Sequence, residues 1–134
     1  MTIQKEFDNP IERRKFMRFD IPLNVEFKQS TATSDYCSGT TINFSRHGFC
    51  FESDAPPLEK ASDVELRVQV PGKEVFVPVT GHIVWTQTLN NKFLAGVQIR
   101  DMNREAKSDI LEYCYDTWLD TVRKRQMSSD VAHH

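Results

Sequence analysis

Residues Ile21–Gln29 read "IPLNVEFKQ", and in them Ile21, Leu23, Val25 and Phe27 alternate with Pro22, Asn24, Glu26 and Lys28. Successive side chains leave an extended backbone on opposite sides, so a period of two marks a strand with one buried and one wetted face. Pro22 has no N–H to give to a ladder and belongs at the start of that strand or on an edge. Downstream, "STATSD" is a loop, and "YCSGTTINFSRHGFCFES" (Tyr36–Ser53) reads as two short strands meeting at a turn near Ser45–Gly48. The Pro-containing connection "APPLEKAS" follows. "DVELRVQV", "EVFVPVTGHIVWTQ" and "KFLAGVQIR" are further strands, separated by Pro71-Gly72 and by Leu89-Asn90-Asn91. Six or seven short strands punctuated in this way predict a mainly β fold, a small antiparallel barrel that is closed or nearly closed.

Beyond the strands the period changes. From Asn103 to about Gln126 there is no Gly or Pro, and Ile110, Leu111, Cys114, Tyr115, Trp118 and Val122 recur at three and four residues. That is one face of an amphipathic C-terminal helix. The face covers one end or seam of the barrel, and it is equally a surface for a homodimer contact; monomer and homodimer through this helix both remain open. Residues 127–134, "MSSDVAHH", are expected to be a disordered tail.

Composition sets limits on function. With 134 residues, 39% hydrophobic and 27% charged, the chain has the material for one domain with a real core. A net charge of −2 argues against a general nucleic-acid binder, which carries a basic excess over a face or domain. No apolar run approaches the roughly 20 residues of a membrane span. The start "MTIQKEFDNP" lacks the apolar core of a signal peptide, so a cytoplasmic location is expected. Cys37, Cys50 and Cys114 show no CxxC spacing, and with the four histidines they form no zinc pattern; reduced thiols and no metal site are expected.

Against that balance, "ERRKFMRFDIPL" (Glu12–Leu23) stands out: four of the six residues from Arg13 to Arg18 are basic. Residues 1–19 are polar and aperiodic, and are read as a flexible basic arm ahead of a barrel-plus-helix domain over 20–126. Arg14 and Arg18, four apart, fall on the same side of an extended or helical segment. They either grip a doubly anionic ligand or are simply solvated; in a chain with nine arginines the spacing alone does not decide. In "NFSRHG", Asn43 and Ser45 are two apart on one strand face, and Gly48 permits a tight turn or a close backbone approach. Each is also an ordinary turn residue.

Taken together and in this order, "RRKFMR" and "NFSRHG" resemble the R-x-x-x-R and [D/N]-x-S-x-x-G signature of PilZ domains, bacterial receptors for cyclic di-GMP. "TGHIVWTQ" and "LAGVQI" are similar to the later strands of that family, and a helix after the barrel is usual for it. The resemblance implies a PilZ-like barrel and a non-enzymatic cyclic di-GMP receptor with no cofactor. Carried onto this chain, Arg14 and Arg18 bind phosphates and guanine acceptor edges, for which the planar guanidinium fork suits better than lysine. Asn43 and Ser45 meet the guanine edge and phosphate oxygens, and Gly48 keeps the turn backbone clear. Aspartate is the commoner family choice at position 43, and an amide oxygen accepts weaker bonds than a carboxylate. Arg13, directly before R-x-x-x-R, implies two intercalated ligand molecules per chain. Ligand would fold the arm over the barrel and relay the signal to an unidentified protein partner. The competing reading is a PilZ-fold scaffold with weak or no nucleotide binding. Ser45 and His47 lack the geometry of a catalytic triad and no nucleophile elbow surrounds the serine, so no catalytic residues are expected.

Overall fold

The computed structural model describes residues 17–31 and 35–132, with side chains to Arg125. The strands are β1 Asn24–Gln29, β2 Cys37–Phe44, β3 Gly48–Ser53, β4 Asp63–Gln69, β5 Phe76–Leu89 and β6 Lys92–Met102; a helix, α1, spans Arg104–Ala132. Every pairing is antiparallel, and the order β1-β2-β3-β6-β5-β4 closes because β1 pairs with both β2 and β4. Closure leaves no open sheet edge.

The alternation read from "IPLNVEFKQ" is the alternation of the core. Val25 and Phe27 of β1 point inward beside Val64, Leu66 and Val68 of β4, with Phe49 and Phe51 of β3 and Phe93, Ala95 and Val97 of β6. The rings interlock: Phe27 and Phe51 lie 4.7 Å apart between centroids, and Phe51 meets Phe93 edge-on at 6.1 Å. The β5–β6 hairpin turns at Asn90 and Asn91, whose φ angles of 54° and 64° are the left-handed values that a two-residue hairpin loop requires and that asparagine tolerates.

Two boundaries differ from the sequence reading. Phe19, assigned to the flexible arm, is a core residue 3% exposed, exchanging backbone hydrogen bonds with Phe44 at 2.9 and 2.8 Å. The segment that follows is tied to β2 by buried Thr41, whose Oγ1 donates to the Ile21 carbonyl at 2.6 Å and accepts from the Leu23 N–H at 2.7 Å. The physical reason is continuity of phase: Phe19, Ile21 and Leu23 continue inward in step with Val25 and Phe27, and Met17 packs on the same core. The rest of the arm, with Arg13 and Arg14, lies outside the described residues. At the other end α1 runs on through Ala132, so most of the expected disordered tail is helical; no Gly or Pro stops it.

The helix begins at Arg104 because Asn103 caps it, its Oδ1 accepting the Ala106 N–H at 2.9 Å. Ile110, Leu111, Cys114 and Tyr115 are buried on the barrel, with Trp118 and Leu119 half-buried beside them. Tyr115 meets Phe19 edge-on at 6.4 Å, so the helix seals the barrel where the lead-in segment enters.

Candidate functional site

The antiparallel bridge between Phe19 and Phe44 sets what lies around it. With both phenylalanines pointing inward, the residues flanking them point outward: Arg18 stands opposite Ser45, and Asp20 opposite Asn43. Arg18 is exposed and has no ion pair among the described residues. Its charge is felt one strand further on. Burial pushes the Cys50 thiol above its ordinary value, the Arg18 guanidinium pulls it back, and Glu52 pushes it up again.

Asn43 owes its direction to a bulge. Thr41 pairs with Phe51 and Asn43 with Cys50, so Ile42 is an extra residue in β2; without it Asn43 would take the same inward face as Thr41. The Asn43 Oδ1 accepts the Cys50 N–H at 3.2 Å, which leaves its amide N–H₂ as the uncommitted donor. The β2–β3 turn closes by Ser45, whose backbone N–H and Oγ both donate to the Gly48 carbonyl at 2.9 Å. Gly48 is needed for a reason the sequence did not show. A Cβ there would come within 2.2 Å of the Val97 carbonyl oxygen, so glycine permits β3 to lie against β6, and the close approach is to the protein's own backbone.

The site also holds a residue that sequence reasoning missed. Trp85, 40% exposed, pairs with Gly96, and a Cβ on Gly96 would sit 2.1 Å from the indole Nε1. The ring therefore lies across Gly96. Gly96 pairs with Cys50 and Cys50 with Asn43, so the indole and Asn43 share one outer face, with the strand axes at Gly96 and Asn43 about 10 Å apart. A second bulge produces this. Ile83 pairs with Val97 and Trp85 with Gly96, making Val84 the extra residue; strict alternation from inward-facing Ile83 would have buried Trp85. The available signal was the Trp85/Gly96 pair within strands otherwise read only as β.

One outer face thus carries a guanidinium, a hydroxyl, a carboxamide and an indole, a set that suits a ligand with both anionic and flat aromatic parts. Among the described residues no group of three or more His, Cys, Asp or Glu side chains is placed to hold a metal ion, and no helix is long and apolar enough to cross a membrane.

Fold and face together define a small closed antiparallel β-barrel sealed by a helix, with a polar recognition surface at the β2–β3 turn. The family model for the PilZ domain matches residues 12–116, and the chain belongs to that family. Among solved structures, the Bacillus subtilis inhibitor of motility MotI/DgrA is 16% identical with a TM-score of 0.66, over 81% of this chain and 52% of that one. This chain therefore spans about half the length of that neighbour. The PilZ domain of YcgR from Escherichia coli, solved with c-di-GMP, is 11% identical with a TM-score of 0.63, over 85% and 98% of the two chains. The PilZ domain of CeSA from a cellulose-synthesizing bacterium is 16% identical with a TM-score of 0.52, over 75% and 97%. At such identities the likeness shows the fold. No curated protein matches the chain.

Proposed function

We propose that this chain is a non-enzymatic receptor for cyclic di-GMP, holding the dinucleotide between its basic N-terminal segment and the outer face of the β2–β3 turn. The observation that carries this reading is the Phe19–Phe44 bridge, which ties the end of the R-x-x-x-R segment to the barrel and sets Arg18 opposite Ser45. Arg14 and Arg18 supply bidentate guanidinium bonds to phosphate oxygens or to guanine O6 and N7. Asn43 offers its free N–H₂ to an acceptor such as O6 or a phosphate oxygen, and Ser45 its hydroxyl oxygen. The Trp85 indole is a stacking platform for a guanine. Arg13, a third guanidinium, supports two ligand molecules per chain. Ligand draws the segment before Met17 onto the barrel, and the surface so formed is what a protein partner reads.

A second reading, a PilZ-fold scaffold with weak or no nucleotide binding, draws on the Asn43 Oδ1, already engaged by Cys50. Titration calorimetry with cyclic di-GMP, with GMP and cyclic di-AMP as controls, separates the two. The receptor reading expects saturable binding selective for cyclic di-GMP, two molecules per chain in the parent and one in Arg13→Ala. Absence of heat with cyclic di-GMP in the parent protein selects the scaffold.

A further inference from the structure

A second concentration of positive charge lies beyond the β2–β3 turn. The Ile99 N–H donates to the His47 carbonyl at 2.8 Å, pinning that turn against the end of β6. This brings Arg46 of the turn, Arg100 of β6, and Arg104 and Lys107 of the first turns of α1 around one pocket of about 260 Å³, floored by half-buried Ile99 and Met102. Asp101 is the single carboxylate on its lining; Glu105, also in the first turn of the helix, is outside it. None of the four cations is in an ion pair among the described residues. Four like charges from three separate elements repel one another, and in a chain of net charge −2 carboxylates were available to neutralise them. The Lys107 ammonium registers the crowding: burial lowers its pKa first, Arg46 and Arg104 lower it further, and Asp101 offsets part of that.

We infer that this pocket is an anion site that receives a phosphate group. The chemistry selects phosphate over a carboxylate or a halide. Three guanidinium forks and an ammonium offer donors from several directions, matching an ion with several equivalent oxygens and up to two charges. The group has two available sources: free phosphate or a phosphomonoester, or a phosphodiester of a dinucleotide bound across the same turn. The site needs neither Arg18 nor Trp85, so it stands whether or not the cyclic di-GMP reading does.

Amide chemical shifts provide the test. Inorganic phosphate and cyclic di-GMP are titrated separately at constant ionic strength, with sodium chloride as the control. Saturable shifts at Arg46 and across Arg100–Lys107 with at least one probe are expected, weakened by about tenfold or more in Arg104→Gln/Lys107→Gln and in Arg46→Gln. Response to phosphate assigns a free phosphate or phosphomonoester; response to the dinucleotide alone assigns a phosphodiester. Arg18→Ala should lose cyclic di-GMP binding while keeping any response to inorganic phosphate, which separates this site from the receptor reading. Shifts equal to those in chloride with both probes, or shifts unchanged in the folded Gln variants, overturn the inference.

Discussion

Arg18 sits between Met17, half-buried on the core, and Phe19, bonded on both sides to Phe44, so its backbone is fixed while its guanidinium meets solvent. A cation held this way loses little conformational freedom on binding an anion. Replacing Arg18 with alanine should weaken cyclic di-GMP binding tenfold to a hundredfold, on the order of 1.5–3 kcal/mol for charge-assisted bonds, and leave the thermal midpoint of the free protein nearly unchanged. Calorimetry paired with thermal melts checks both halves; parent-like binding in this variant removes Arg18 from the site. The thiols differ in the same residue-by-residue way. Cys114 is 1% exposed, and burial pushes its pKa up to about 12, whereas Cys37 is only half-buried. Iodoacetamide near pH 8 should label Cys37 in the native protein and Cys114 only after denaturation, as peptide mass spectrometry can show. Because folding raises the Cys114 value, its contribution is complete below the ordinary thiol value of 9.0 and declines as pH rises from there toward about 12.

At the scale of elements, two bulges and one helix do the positioning. The extra residues Ile42 and Val84 turn Asn43 and Trp85 outward onto one face, each against the phase of the residue two before it. The helix contributes by packing: Ile110 is fully buried, and with Leu111 and Cys114 it covers the barrel where Phe19 enters. Ile110→Ala removes three buried carbons and leaves a cavity, which should lower the unfolding free energy by roughly 2–5 kcal/mol. Urea denaturation would show this as an earlier midpoint with an unchanged slope. A loss below about 0.5 kcal/mol would mean that the helix is only loosely seated on the barrel.

For the whole molecule, the question is where order stops when no ligand is bound. The described structure begins at Met17, and Phe19, Ile21 and Leu23 are already bonded to β2. The proposed closure therefore hinges just before Met17. Hydrogen exchange should show the amides of Phe19 and Phe44 protected with and without cyclic di-GMP, because they bond to each other. Amides of residues 12–16 should gain protection only when ligand is added, since ordering each costs roughly 1–2 kcal/mol that ligand contacts must offset. Ligand-independent exchange across 12–16 would rule the switch out, whatever the calorimetry gives.

The amino-acid sequence by itself determined the strands, the hairpin at Asn90-Asn91, the helix and its buried face, because each is written in a local period or a turn residue. It also determined the motif residues Arg14, Arg18, Asn43, Ser45 and Gly48, whose spacing survives without knowledge of contacts. Tertiary structure alone decided which side of the sheet Trp85 takes, since a single inserted residue reverses the phase and no local pattern marks where Val84 is left unpaired. It decided that Gly48 serves the contact of β3 with β6, which depends on a carbonyl 49 positions away in the chain. It also decided that Phe19 belongs to the barrel: the alternation was present in the sequence, but only pairing with Phe44 turns a hydrophobic residue beside a basic run into part of the core.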